Sequence, residues 1–445
     1  MAISFKPDVL VCGAGCAGLG AALASARGGA QTLLIERAPF AGGIITCAGL
    51  PHFDGVGRKK DGLIVTRGIP LELLARMGVS KLSDTHIHPH NVAIPSTERF
   101  KIVADQLLQA EPNLQFLYHT FAVDAVVRDG RITEVVVAGK AGLQRIFLAA
   151  DRAATVIDTT GDADIAARAG VPLDQSREHM PLSLHFRIGN VVLNPDLARP
   201  GPQPGEIEAM RCREVLQKAH DDGRLKSFYG PLISFRFAPN EAYVMATRVA
   251  ADATDPEDLT RAEMQGRIDA WTMFELWKRH VPGFENSYYA GSGPYIGIRE
   301  TRRILGQYVL TEQDVKDEKR FPDAVATGCW YLDLHPSYAT AGSANVAAGT
   351  LAGLDGYQPS CYDIPYRTLL PRQVANLLVA GRCHSATRLA ASSTRVTATA
   401  MAMGQAAGAA AALARELRTT VQELDGKKVR DVLDRQDAGP YTGPA

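Results

Sequence analysis

Three groups of side chains in this 445-residue sequence have the types and spacing to do chemistry. Arg299, Arg302 and Arg303 lie three and four residues apart, so on a helix Arg299 would share a face with both. Guanidinium groups this close can clamp a carboxylate. A salt-bridge cluster with Glu300 and nearby aspartates is the competing reading, and the spacing does not choose between them. In Asp333-Leu334-His335-Pro336 the acid and the imidazole alternate, which on a strand would turn both toward one cavity. His384 follows Gly381, at the strand-end position where α/β sheets form ligand crevices. Either histidine could be a general acid or base near neutral pH, so Arg299, His335 and His384 are the candidate catalytic residues. The third group is His86, His88 and His90, which would share one face of an extended chain. Pro89 and the lack of a nearby cysteine argue for a surface or pocket strand, and no metal is expected. Cys47 is read as packing rather than redox-active.

The elements that must position these groups are announced by glycine. Val9 to Val11 is an apolar run suited to a buried parallel strand, followed by Gly13-Ala14-Gly15-Cys16-Ala17-Gly18. Gly13 permits a tight turn, Gly15 lets backbone approach a pyrophosphate, and Gly18 lets the next helix pack on the sheet. That helix is expected from Cys16 to Gly28, with its first N–H groups facing phosphate, and a second strand from Gln31 to Ile35. Glu36 lies 23 residues beyond Gly13, close to the spacing of a carboxylate that holds a ribose diol. Such an acid disfavours a 2′-phosphate.

Further motifs follow in order. They are Gly42-Gly43 with Thr46, then Val156 to Ala166, Arg299 to Gly306, Cys329 to Pro336, Asp363 to Arg367, Ala380-Gly381-Arg382 to Thr387, and Met403 to Gly408. Over essentially the whole chain this order resembles the bacterial FAD-dependent oxidoreductases related to the fumarate reductase and succinate dehydrogenase flavoproteins and, more widely, to the glutathione-reductase-like FAD superfamily. The resemblance implies an α/β fold: a Rossmann-like FAD-binding domain, βαβ with a three-layer sheet, and an inserted α+β substrate domain. It implies FAD contacts from Gly13, Gly15, Cys16, Ala17 and Gly18, from Glu36 and Arg37, and from Gly42, Gly43 and Thr46. It adds backbone contacts from Val123 to adenine, and polar contacts from Gly161, Asp162, Gly381 and Arg382. Ser393 and Arg395 would border the flavin, and a helix starting around Gly404, Gln405, Ala406 and Ala407 would stabilise negative charge on it. Where succinate-dehydrogenase-like enzymes carry a flavin-linking histidine, this chain has Gly43-Ile44-Ile45, so non-covalent FAD is expected.

The domain organisation expected from these motifs is 1–162 and 362–416 for the FAD domain, 163–361 for the substrate domain, and 417–445 for a helical appendix. Strands are expected at Gln115 to Tyr118, Ala122 to Val127 and Ile132 to Val137, with an Asp129-Gly130 hairpin turn. A helix is expected at Leu259 to His280. Lys plus Arg equals Asp plus Glu at 48 each, so no net field draws nucleic acid or an anionic membrane. Seven cysteines without a C-x-x-C pair argue against disulfide exchange and fit a reducing cytoplasm. The apolar stretch Ala398 to Ala414 is mostly alanine and is read as a buried helix, not a membrane span. The expected activity is hydride transfer between flavin N5 and a small polar substrate, with a carboxylate among the options. A tRNA-modifying type of flavoprotein and a non-catalytic FAD-binding protein are the alternatives. The electron partner is left open, and homo-oligomer formation is compatible with the sequence.

Overall fold

The computed structural model describes residues 3–79, 89–175, 179–192, 206–226, 228, 233–235, 240–335 and 356–443. At its centre is a sheet in the order Leu377–Val379, Thr155–Asp158, Val9–Cys12, Thr32–Ile35, Leu114–Leu117, with every neighbouring pair parallel. The first four of these are buried along their whole length, which is why they read as unbroken apolar runs rather than alternating ones.

Each strand still sorts its side chains between two faces. Val9, Val11, Leu34, Ile157 and Leu378 point into a core with the helices Cys16–Arg27 and Thr397–Leu417. Leu10, Cys12, Leu33, Ile35 and Val156 point into a second core against the antiparallel strands Phe121–Arg128, Arg131–Gly139 and Gly142–Phe147. The result is three layers, helix on sheet on sheet. Asp129 and Gly130 turn the first hairpin with φ of 50° and 70°, the mirror-image geometry that Asp-Gly favours. Asn376 ties the layers together: its side chain accepts from Ile132 N–H and donates to the carbonyls of Ile132 and Ala154.

A third hydrophobic core is built by residues between Leu182 and Ile296. There the antiparallel strands Ile233–Phe235, Glu241–Val244, Phe186–Gly189 and Tyr288–Ser292 form a sheet. The long helix Pro256–His280 lies in this part of the chain and contributes Met273 and Trp277 to the core. It starts three residues earlier than the apolar period suggests, because Asp255 accepts from Glu257 and Asp258 N–H and Pro256 suits the first turn. Within 417–445 the helix Gly426–Arg435 is capped by Asp425, and its Val429 and Leu433 pack into the core with the helix Thr397–Leu417.

Among the described residues no single helix is long and apolar enough to cross a membrane. The pair Arg388–Thr394 and Thr397–Leu417, bent by 92°, passes that test by composition. The longer of the two is buried in the protein from Thr397 to Ala414 except at Ala402.

Candidate functional site: a nucleotide cradle and a buried charge cluster

The first strand leads into a cradle that excludes side chains. Gly13 has φ of +99°, and a Cβ there would lie 2.7 Å from the Thr159 carbonyl oxygen. A Cβ on Gly18 would fall 1.8 Å from the Gly13 oxygen, so only glycine lets the helix pack this close. Gly15 forms the helix N-cap and, as glycine, offers no side chain to cap the first N–H groups. The Gly42-Gly43 pair folds directly against this turn. Gly42 N–H donates to the Ala14 carbonyl at 2.8 Å, and a Cβ on Gly43 would meet the Gly15 Cα at 2.8 Å. Thr46 closes the pair by donating to the Ala41 carbonyl.

Beside the turn runs a crevice lined by Gly13, Ile35, Glu36, Arg37, Thr120, Phe121, Ala122, Thr160 and Asp164. Glu36 accepts Ala14 N–H at 2.7 Å and Ala38 N–H at 2.8 Å, so its carboxylate is anchored at the crevice wall. Val123 follows this lining. Ala122 pairs with Val137 and Asp124 with Val136, leaving Val123 as the extra residue of a bulge, outside the ladder. Asp158, which the sequence reading passed over, holds Thr160 of this lining in place. Its buried carboxylate accepts from Thr160 N–H, Thr160 Oγ1 and Ala166 N–H, and burial raises its pKa.

The second glycine-rich region joins the same place by a different route than expected. Arg382, after Gly381, donates to Asp162 at 2.7 Å, and a Cβ on Gly161 would collide with its guanidinium. Its Nη1 is buried and, among the described residues, has no hydrogen-bond partner. Gly404, Gln405, Ala406 and Ala407 do not start a helix. The helix begins at Thr397, and these four residues lie buried in its interior. Gly404 serves helix packing, since a Cβ there would lie 1.8 Å from the Ala17 carbonyl oxygen. Gln405 accepts from Ile69 N–H. Ser393 likewise turns inward, hydrogen-bonding Tyr362 and the Trp330 carbonyl at 2.6 Å each.

Arg299, Arg302 and Arg303 are not on a helix. Residues 299–301 have no regular structure and Arg302–Ile304 is a strand, so neighbours diverge. Arg302 pairs with Asp164 and donates to the Asp162 carbonyl, while buried Arg303 pairs with Asp174 and Glu300. These two are the structural ion pairs of the competing reading. Arg299 alone enters a different cluster. Bridges between Leu182 and Val249 and between Ser183 and Gly297 bring three distant segments together. Ser183 Oγ thereby accepts from Arg248 at 2.8 Å and from Arg299 at 3.0 Å. Among the described residues Arg299 makes no ion pair; its other donor contact is to the Pro181 carbonyl. Burial, then repulsion from Arg248 and Arg395, holds its pKa well below the arginine range.

Asp333 and His335 meet in this cluster, at 3.1 Å, although Cys329–His335 is irregular rather than a strand. Asp333 also accepts from Arg395 at 2.8 Å. Burial lowers the His335 pKa to about 4 even though Asp333 opposes the shift. His384 is elsewhere: fully buried, bonded to Thr394 Oγ1 at 2.7 Å, its pKa lowered to about 3 by burial and Arg303. The structure therefore unites Arg299, Arg395 and His335, and leaves His384 inside the protein. Arg248, His185 and the His52–Asp54 pair, with ring nitrogen and carboxylate 3.0 Å apart, were missed by the sequence reading. No spacing signal links residues so far apart.

His90 stacks on Trp330 at 4.3 Å between ring centroids, and His86 and His88 lie outside the described residues. All seven cysteines are free. Burial raises the Cys47 thiol to about 11, and that of Cys16 to about 12, which leaves neither a ready nucleophile at neutral pH.

The parallel sheet, the side-chain-free turn and the anchored acid define a nucleotide-binding flavoprotein fold. The chain belongs to the FAD dependent oxidoreductase family, which matches residues 8–433, and FAD is its cofactor. None of the curated proteins compared matches it. Among solved structures it is similar to a geranylgeranyl bacteriochlorophyll reductase-like protein from Thermoplasma acidophilum, with 12% identity and a TM-score of 0.46 over 97% of this chain and 84% of that one. It is also similar to GidA of Aquifex aeolicus, with 14% identity, TM-score 0.47, and 99% and 69% coverage. A third is the myxobacterial chondrochloren halogenase CndH, with 12% identity, TM-score 0.46, and 97% and 79% coverage.

The cradle fits the cofactor. Its glycines leave room for a pyrophosphate, the N-cap Gly15 has no side chain to occupy the helix N–H groups, and among the described residues Arg382 Nη1 is a buried donor without an acceptor.

Proposed function

We propose that this protein is an FAD-dependent dehydrogenase or reductase of a small carboxylated molecule, with FAD held non-covalently. The reading keeps the relationship to fumarate-reductase-type flavoproteins, a domain division at 1–162, 163–361, 362–416 and 417–445, and a reducing cytoplasmic setting. FAD supplies a two-electron hydride acceptor or donor. The chain's own residues supply the rest. Gly13 to Gly18, Gly42, Gly43 and Arg382 take the pyrophosphate side, and Glu36, Arg37 and Val123 the adenosine side.

The observation that carries the substrate class is Arg299, a guanidinium that among the described residues bonds only to neutral oxygens, set beside Arg248 and Arg395. Like charges brought together out of water repel, and an anion between them relieves that cost. A carboxylate matches the planar fork of a guanidinium. Asp333 orients both Arg395 and His335, so the imidazole is fixed at the edge of the cluster.

The test is anaerobic flavin bleaching by a panel of small carboxylates and by neutral polyols of the same size. Bleaching by carboxylates that Arg299→Met abolishes supports the reading. Bleaching by polyols alone, unaffected by that substitution, refutes it.

A further inference from the structure

The second face of the cluster is made by His185, a residue with no role in the reading above. It lies just before the strand Phe186–Gly189 and is 5% exposed. Both of its ring nitrogens are buried, and among the described residues neither has a hydrogen-bond partner. The other buried histidines of the described residues differ: His52 is held by Asp54, His90 by the Gly57 carbonyl, and His384 by Thr394. An imidazole kept only for packing would be disfavoured, because each unsatisfied buried nitrogen forfeits its hydration.

Its surroundings tie it to both halves of the site. The His185 carbonyl accepts Gly293 N–H, and Gly293 presses on the Ala48 backbone, one helical turn beyond the Gly42-Gly43 pair. On its other side the Tyr243 ring stands edge-on at 5.6 Å, and the same tyrosine ring meets His52 at 6.2 Å. Asp54, the partner of His52, donates its N–H to Thr397 Oγ1 at the start of the long helix. Burial, then the nearby Arg299 and Arg248, keep the His185 imidazole neutral, with lone-pair capacity on one nitrogen and an N–H on the other; the His52 and Tyr243 rings also face it.

We propose that His185 is the substrate-facing hydrogen-bond partner of this site, and that what it receives is the hydroxyl of a small hydroxy acid. The hydroxyl donates to the ring lone pair and keeps its proton, because Arg248 and Arg299 oppose the imidazolium while they attract the acid's carboxylate. This inference rests on the carboxylate reading and narrows it to acids with a hydroxyl.

Ring-labelled [15N]histidine holoprotein, titrated with glycolate and separately with acetate, tests it. The expected result is that glycolate shifts the ring nitrogens of His185, acetate binds without doing so, and His185→Phe weakens glycolate about tenfold, the loss of one hydrogen bond. His185→Gln, which keeps a polar group of similar size, retains part of that affinity and guards against misfolding; flavin content and the visible spectrum check both variants. If both acids bind and His185 does not respond, the inference on His185 is wrong while the carboxylate reading stands. If neither binds, both are overturned.

Discussion

One of the tightest backbone approaches among the described residues gives a quantitative prediction for Gly404→Ala. A Cβ at this position would lie 1.8 Å from the Ala17 carbonyl oxygen. Carbon and oxygen settle at roughly 3.3 Å, so the two helices must separate by about 1.5 Å at this point. Neither side can yield locally, because both atoms belong to helical backbone. Gly408 repeats the arrangement one turn on, where a Cβ would lie 2.2 Å from the Ala21 oxygen, and at Gly28 a Cβ would meet the Ala412 methyl at 2.4 Å. The helices therefore touch along a small-residue seam, and opening it at one place loosens its neighbours.

Overpacking in interiors costs about 1–3 kcal/mol, and this site belongs at the upper end or beyond. Alanine would regain about 1 kcal/mol of helix propensity, leaving a net loss of about 2 kcal/mol. Since the first helix carries the phosphate turn, FAD affinity should fall with it. Urea unfolding, together with FAD titration of the apoprotein, measures both. A Gly404→Ala protein as stable as the parent, or more stable, would refute the close-approach argument. Loss of FAD binding without loss of stability would instead return Gly404 to a direct role in the cofactor site.

Other outcomes follow from the same geometry. Glu36→Gln places an N–H₂ group against the Ala14 and Ala38 donors and removes a charge, so FAD should bind about ten- to a hundredfold more weakly in equilibrium titration. His185, His335 and His384 are all held below the usual imidazole range, mainly by burial, the latter two at about 4 and about 3. At these three sites the unfolded chain therefore binds more protons than the native one below pH 6.5. Their contribution to stability should be full above that pH and fall as the pH drops toward the folded values, by up to about 1.4 kcal/mol per unit for each histidine, while Asp164 and Asp269, whose buried carboxyls are raised to about 6, act in the opposite direction. In unfolding curves from pH 7 to 4, His384→Gln should remove one histidine's share of that slope. Arg299→Met should raise the KM of a carboxylate substrate about ten- to a hundredfold and leave FAD content unchanged; an unchanged KM would count against the clamp.

The nucleotide half of the protein was legible because its determinants are local. Gly13, Gly15, Gly18 and Glu36 sit within one βαβ stretch, and each residue type is dictated by backbone geometry in its own neighbourhood. The hairpin at Asp129-Gly130 was readable for the same reason. The Gly404 segment was misplaced because a glycine that admits a phosphate and one that admits another helix look alike in sequence. Arg299, Arg302 and Arg303 were put on a helix by spacing alone, whereas strand pairing with Leu173–Gln175 holds the latter two extended and apart from Arg299. The charge cluster was only half visible. Arg248 and Arg299 are fifty-one residues apart and meet through Ser183, a contact made by tertiary bridges that no periodicity announces. His185 carries no motif, and what marks it is the absence, among the described residues, of hydrogen-bond partners in a buried place.

The account stands on the flavin, and the most direct measurement is the visible spectrum of the purified protein before and after denaturation. It predicts a flavin spectrum whose chromophore leaves the unfolded chain as free FAD. Flavin that stays with the denatured chain would contradict the non-covalent site, and a colourless protein that cannot be reconstituted with FAD would contradict the central claim.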